Sequence, residues 1–135
     1  MNIKLVGLDS NIFIYQFEQH PQFSPKTSAI FGKLAGKKLQ AVTSIISLIE
    51  ALSYPSPEEV LTQIRIGFTV PNLTVLEVND QIGLEAARIR REYPFRLGDA
   101  IQLATAICSK TRAFITNDER LKKFKEIKVT LLNEL

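Results

Sequence analysis

Four acidic residues of this sequence occupy positions where a carboxylate could do chemistry. Asp9 and Asp118 each follow a short apolar run that predicts a β-strand, residues 3–8 and 113–116 respectively. In an open parallel sheet, the carboxyl ends of the strands form the crevice in which ligands bind. Each residue taken alone is explained more often as a turn former or a helix cap. Their common position, just past a strand, is what favours a site.

The other two acids lie in segments that are otherwise apolar. Glu50 belongs to residues 45–52, a predicted helix that is apolar on nearly every face. Because an unpaired buried carboxylate costs several kcal/mol, we expect Glu50 to be paired with an arginine, protonated, or bound to a metal. Asp99 opens an apolar helix over residues 99–108, where the helix dipole alone favours an acid. Small side chains nearby predict close packing and partial burial of Asp99, namely Ala100, Ala104 and Ala106.

If these four acids converge on one pocket, the chemistry they predict is metal-assisted hydrolysis. A pocket that offers only oxygen ligands suits Mg²⁺ or Mn²⁺ and does not suit zinc. A bound ion of this kind lowers the pKa of a water molecule and stabilises charge on a phosphate, while an acid that is not a ligand can act as a base. The single histidine, His20, lies in a proline-flanked loop and is expected to be exposed, which excludes a pair of catalytic histidines. Cys108, within an apolar helix, is expected to be a core residue.

Basic residues follow in two groups, residues 88–96 and 110–125. They could follow a phosphate backbone, although a solvated helix face explains most of them equally well. Arg96 is the best candidate for a substrate-binding residue, because it precedes Asp99 by three positions. It would contact either a phosphate or a carboxylate.

Short apolar runs alternate with amphipathic segments along the whole chain. This alternation predicts a three-layer α/β/α domain with a central parallel sheet. The length of 135 residues suits a single domain, residues 1–135. The predicted strands cover residues 3–8, 39–42, 73–78, 113–116 and 128–132, and the predicted helices cover residues 12–17, 26–36, 44–53, a segment from Pro57, 79–93, 97–108 and 119–124.

The composition is that of an ordinary globular chain. Hydrophobic residues make up 45% and charged residues 23%, which excludes a disordered, collagen-like or coiled-coil protein. The formal charge of +3 allows a polyanionic partner without demonstrating one. One cysteine excludes an internal disulfide and a cysteine-rich zinc site, and it fits the reducing cytoplasm. The N-terminal apolar run is too short for a signal peptide, and no stretch is long enough to predict a membrane helix.

Four segments in order give the chain a family resemblance. They are Leu-Asp-Ser-Asn at residues 8–11, Ser-Ile-Ile-Ser-Leu-Ile-Glu at 44–50, Arg-Leu-Gly-Asp-Ala at 96–100 and Phe-Ile-Thr-Asn-Asp at 114–118. With these segments, and a closing strand at residues 129–131, the sequence resembles the PIN-domain ribonucleases found as VapC-like toxins in toxin–antitoxin modules. The resemblance covers nearly the whole chain, whereas residues 55–72 carry no motif that matches.

The resemblance implies metal-dependent cleavage of single-stranded RNA by a protein of PIN-like fold. It implies an acidic Mg²⁺ or Mn²⁺ site formed by Asp9, Glu50, Asp99 and Asp118. Beside this site, Ser10 and Thr116 match accessory hydroxyl positions, and Asn11 and Asn117 are expected to shape the turns. The implied partners are the RNA substrate and a small antitoxin protein, and the family pattern is compatible with a homodimer. A non-catalytic RNA- or protein-binding module on the same fold stays open as the alternative.

Overall fold

A parallel sheet of five strands forms the middle layer of the protein. The computed structural model describes residues 3–135, in which the strands are β1 (Lys4–Leu8), β2 (Leu39–Ser44), β3 (Leu73–Leu76), β4 (Ala113–Thr116) and β5 (Lys128–Leu131). Their order in the sheet is β3-β2-β1-β4-β5, and every neighbouring pair is parallel. After β1, the chain adds β2 and β3 on one side of it and then crosses to the other side to form β4 and β5. In sheets of this kind, ligands bind where the strand order reverses, which here is between β1 and β4.

Helices cover both faces of the sheet, so the predicted three-layer α/β/α architecture is confirmed. Residues 97–108 are helical as predicted, whereas the first helix begins two residues earlier than expected because Asp9 caps it. The third helix is capped by Ser44, whose hydroxyl accepts from Ile46 N at 3.1 Å. The helices are α1 (Ser10–Glu18), α2 (Ser24–Ala35), α3 (Ile45–Leu52), α4 (Glu58–Gly67), α5 (Asp80–Glu92) and α6 (Leu97–Cys108), with 3₁₀ segments at Glu119–Lys123 and Leu132–Glu134.

The strands separate two apolar clusters. Successive side chains of a strand point to opposite faces, so Phe114 joins the cluster under α5 and α6 while Ile115 joins the cluster under α1 and α2. Gly7 of β1 faces α6, and a Cβ atom there would lie 2.9 Å from the Phe114 ring and 3.0 Å from Ala106 Cβ. The missing side chain lets α6 approach the central strand closely.

This close approach positions the start of α6. The helix runs back across the sheet before β4 begins, so its first turn lies at the carboxyl ends of the strands. Asp99 is thereby brought to the edge where Asp9 and Asp118 follow β1 and β4. Within residues 3–135, no helix has the length and apolar character needed to cross a membrane.

Candidate active site

Asp9 is the most buried of the four acids, with 8% of its surface exposed. It caps α1, and its carboxylate accepts a hydrogen bond from Ser10 N at 2.8 Å. The hydroxyl of Thr116, the last residue of β4, donates to the same carboxylate at 2.7 Å and accepts from Asp118 N at 3.0 Å. Thr116 therefore joins Asp9 to the turn that carries Asp118.

Asn11 reinforces the junction between the two strand ends. Its amide Nδ2 donates to Thr116 Oγ1 at 3.3 Å, and its Oδ1 accepts from Asn117 N at 3.3 Å. The side chain of Asn117 donates to the Tyr15 hydroxyl at 3.1 Å. The expectation that these two asparagines shape the turns is thus confirmed, because both make bonds that span α1 and the end of β4.

The surroundings of Asp9 disfavour its negative charge. Burial, together with the nearby charges of Asp99 and Glu50, raises the pKa of Asp9 to about 6. The hydrogen bonds from Thr116 and Ser10 offset only part of this effect. The local electrostatics therefore favour a cation close to Asp9.

Glu50 corrects one expectation from the sequence. Glu50 is exposed, and the buried positions of α3 are Ser47 and Ala51, which lie on one stripe of the helix. The neighbouring Ile49 is 54% exposed, so the apolar character of this segment does not reflect burial on all sides. Partial desolvation still raises the pKa of Glu50, helped by the charge of Asp99 and opposed by the Ser10 hydroxyl. The carboxylate lies beside α6, since Oε1 would be 3.6 Å from a Cβ atom on Gly98.

Asp99 is partly buried in the first turn of α6, as predicted. Its Oδ2 atom accepts from Arg96 N at 3.3 Å, so the backbone of Arg96 helps to orient it. The Arg96 residue is exposed, and its charge contributes to lowering the pKa of Asp118. The exposed position keeps Arg96 accessible to a ligand.

Asp118 has a cationic partner that the sequence analysis did not single out. Arg120 donates to Asp118 from its backbone N at 3.0 Å, from Nε at 3.1 Å and from Nη2 at 2.5 Å. The same Nη2 atom donates to Asp99 Oδ2 at 3.3 Å. Burial acts to raise the pKa of Asp118, but the hydrogen bonds and charge of Arg120 outweigh it, so that pKa is lowered.

A buried polar network lies beside the acids and connects α1, α3 and α6. Gln102 Nε2 donates to Ser10 Oγ at 2.9 Å and to Ser47 Oγ at 2.8 Å. Ser47 also bonds Thr43 Oγ1 at 2.7 Å, and Thr43 in turn donates to Leu8 O at 2.8 Å. Among the residues described, Gln102 Oε1 is a buried side-chain atom without a hydrogen-bond partner. The hydroxyl of Ser10 therefore takes part in this network and also lowers the pKa of Glu50, while its backbone N–H donates to Asp9.

The single histidine and the single cysteine both lie in surroundings that favour a structural role. His20 is half-buried and not exposed as expected, because its ring packs against Tyr15 and Phe23 and its Nδ1 accepts from the backbone N–H groups of Gln22 and Phe23 at 3.1 and 3.2 Å. Cys108 is partly buried, and burial raises the pKa of its thiol, which makes a reactive thiolate unfavourable.

The four acids lie at the carboxyl ends of the strands, but they do not enclose a single metal-binding cavity. Asp9, Glu50 and Asp99 affect one another by charge, and Asp118 is joined to Asp99 through Arg120. In the described part of the chain, no three acidic, histidine or cysteine side chains stand close enough together to hold a metal ion. Mg²⁺ usually keeps several water molecules and binds only one or two carboxylates directly. The all-oxygen, negatively charged set around Asp9 fits an ion bound in that way.

Comparison with known proteins identifies the family. The sequence model of the PIN domain matches residues 6–127, which include all four acids. The chain belongs to the PIN domain family. A search of curated protein sequences gave no match.

Solved structures with the same fold come from bacterial toxin–antitoxin complexes. VapBC2 from Rickettsia felis, bound to a promoter DNA fragment, aligns over 94% of this PIN domain and 98% of its own chain, with a TM-score of 0.76 and 18% identity. A toxin–antitoxin complex from Klebsiella pneumoniae covers 96% and 99%, with a TM-score of 0.73 and 23% identity. DNA-bound VapBC from Salmonella typhimurium covers 97% and 99%, with a TM-score of 0.73 and 21% identity. The PIN fold of this chain is therefore of the kind found in VapBC complexes.

Proposed function

We propose that this PIN domain is a metal-dependent endoribonuclease that hydrolyses phosphodiester bonds of single-stranded RNA. The observation that carries the proposal is the environment of Asp9. This carboxylate is buried beside the point where the strand order reverses, between β1 and β4. Its pKa is raised to about 6 by burial and by the charges of Asp99 and Glu50. Perturbed acids that meet in a crevice at the carboxyl ends of strands are a mark of functional sites.

The residues that would hold Mg²⁺ or Mn²⁺, directly or through its water molecules, are Asp9, Asp99, Glu50 and Asp118. When bound, such an ion supplies Lewis-acid chemistry, lowering the pKa of water and stabilising charge on the phosphate. Asp9 is kept in a fixed orientation for this role by Thr116 and the Ser10 N–H.

The remaining groups of the site would act on water and on substrate. Glu50 is exposed, with a raised pKa, and if it holds the ion only through water it would accept the proton of a water molecule that attacks the phosphorus atom. Arg96 is exposed beside Asp99 and would bind a phosphate of the RNA, for which a guanidinium group has matching geometry.

Cleavage assays test the proposal directly. Purified protein is incubated with unstructured and structured RNAs in Mg²⁺, Mn²⁺ or EDTA, and we expect cleavage of the unpaired RNA with either metal and none in EDTA. Asp9→Asn should abolish cleavage, whereas Asp80→Asn, the same change at an exposed acid of α5, should not. Cleavage that persists in EDTA or in Asp9→Asn would contradict the proposal. RNA binding without cleavage would favour the non-catalytic alternative.

We further propose that the protein is the toxin of a toxin–antitoxin pair in the cytoplasm. The support is the likeness in fold to VapBC complexes, which cover nearly all of this chain. A small antitoxin encoded beside the gene should copurify with the protein and relieve its effect on growth. Light scattering of the purified protein tests the homodimer that the resemblance allows. Growth unaffected by expression, with no copurifying neighbour, would argue against the toxin role but leave the nuclease proposal standing.

A further inference from the structure

The guanidinium group of Arg120 lies between two of the four acids. It forms ion pairs with Asp118 at 2.5 Å and with Asp99 at 3.3 Å, both through Nη2. The two carboxylates come from different elements, since Asp99 opens α6 and Asp118 follows β4. Arg120 is thus a cation, supplied by the chain itself, that bridges two separate acids of the proposed metal site.

The surroundings of Asp9 differ from those of Asp99 and Asp118. Asp9 is held by an N–H group of Ser10 and the hydroxyl of Thr116, both of which are uncharged. Among the ion pairs formed by residues 3–135, those that involve the four acids are the two made by Arg120. The positive charge is therefore concentrated on the Asp99–Asp118 side.

The position of the Arg120 side chain allows its guanidinium group to move away from the two carboxylates. Its side chain is 43% exposed, and in its 3₁₀ segment only Leu121 is buried. Partly exposed ion pairs contribute little net stability, because water solvates the separated groups well. Rotation of the guanidinium group into solvent would leave the apolar core unchanged.

We infer that Arg120 is an internal counter-cation that competes with the divalent ion for Asp99 and Asp118. The inference rests on the proposed function, because it requires that these carboxylates bind a metal. In the absence of the ion, the guanidinium group neutralises the pair and keeps Asp99 and Asp118 together. Loading the ion onto these acids requires the guanidinium group to withdraw, so Arg120 sets the metal concentration at which the site fills.

The test is the affinity of the protein for Mn²⁺, measured by calorimetry at fixed pH and ionic strength. Arg120→Gln removes the competing cation, and we expect its Kd for Mn²⁺ to be roughly 2- to 10-fold lower than that of the wild type, a range set by the weakness of partly exposed ion pairs. Arg120→Lys keeps the charge but loses the planar fork that spans two carboxylates, so its Kd should lie between the two. Arg91→Gln makes the same charge change at an exposed residue of α5 and should leave the Kd unchanged.

The possible results distinguish failure of the inference from failure of the proposed function. If Arg120 only supported the structure, both of its variants would bind Mn²⁺ equally or more weakly, and this result would overturn the inference while leaving the proposed function intact. An equal gain in Arg91→Gln would also overturn it, since the effect would then be general electrostatics. Absence of Mn²⁺ binding in wild type and variants alike would overturn the metal site of the proposed function, and the inference with it. Melting curves in EDTA show whether each variant is folded. If Arg120→Gln does not fold, the Kd of Arg120→Lys for Mn²⁺ tests the inference instead.

Discussion

At the scale of single residues, Asp9 combines tight positioning with an unfavourable charge. Its carboxylate is buried and accepts hydrogen bonds from the ends of two different elements. A raised pKa means that the folded protein holds the proton more tightly than the unfolded chain does. This group therefore contributes most to stability below its ordinary pKa of 3.8, and that contribution is lost as the pH rises through about 6.

The first prediction is that Asp9→Asn stabilises the protein at pH 7 in EDTA. A shift of about two pH units corresponds to nearly 3 kcal/mol, and loss of a hydrogen bond from Thr116 offsets part of it. We expect a net gain of about 1–2 kcal/mol in the free energy of unfolding by urea. The gain should vanish at pH 4, where the wild-type carboxyl is also neutral. A variant less stable than wild type at pH 7 would show that the hydrogen bonds outweigh the buried charge.

The second prediction concerns the pH dependence of metal binding. A carboxylate binds a cation only when it is ionised, and the pKa of Asp9 is about 6. The Kd for Mn²⁺ should be nearly constant above pH 7 and should rise about tenfold per pH unit below 6, if one proton is displaced. Calorimetry between pH 5 and 8 measures this. An affinity that stays flat down to pH 5 would mean that Asp9 titrates as an ordinary exposed acid.

At the scale of elements, the contact of β1 with α6 decides where Asp99 lies. The absence of a side chain at Gly7 leaves room for Ala106 and the Phe114 ring. The buried bonds of Gln102 to Ser10 and Ser47 then connect α6 to α1 and α3. The first turn of α6 is therefore located by packing along the helix and by polar contacts near its start.

The third prediction is that Gly7→Ala destabilises the fold. A Cβ atom 2.9 Å from Phe114 forces the ring or α6 to move, and such overpacking costs about 1–3 kcal/mol. Gly83 in α5 is a matched control, because a Cβ there would meet no atom within 4 Å. Gly83→Ala should stabilise the protein by about 0.5–1 kcal/mol, since alanine is the better helix former. Equal effects of the two changes in urea unfolding would contradict the packing argument.

Much of the fold was predictable because each apolar run has the length and period of its element. The burial of Glu50 was predicted wrongly, since an apolar pattern does not show which side of a helix a sheet covers. Arg120 lies only two residues from Asp118, but the sequence does not show that its guanidinium group also reaches Asp99, which is 21 residues away on another element. The same holds for Gln102, whose partners Ser10 and Ser47 belong to two other helices.

At the scale of the whole molecule, acidic and basic side chains are distributed unequally between the two ends of the sheet. The acids lie past the carboxyl ends of the strands, whereas basic side chains surround the amino ends. A cavity of about 590 Å³ between α2 and strands β1, β4 and β5 is lined by four basic side chains near those ends, and also by Lys26, Glu134, Val6 and Ile115. The four are Lys4, Lys33, Arg112 and Lys128. Five residue steps along β1 separate Lys4 from Asp9, about 16 Å.

The fourth prediction follows from that separation. The distance exceeds the screening length of about 8 Å at physiological salt, so these cations act only weakly on the acids. The double variant Lys33→Gln/Arg112→Gln should cleave a short RNA within about twofold of the wild-type rate. Arg96→Gln, at the acidic end, should weaken RNA binding and reduce its dependence on salt concentration. A large loss of cleavage in the double variant would show that the substrate also contacts the amino end.

The central place of β1 also has a consequence for the synthesis of the protein. β1 is made early, yet its neighbour β4 follows more than a hundred residues later, as the pairing of Val6 with Ala113 shows. A ribosome that adds 5–20 residues per second takes roughly 5–20 s to cover this distance. During that interval the nascent chain has neither Thr116 to hold Asp9 nor Asp118 itself. The acidic site is therefore assembled only when nearly the whole chain has been translated, and a truncated product of an interrupted message lacks it.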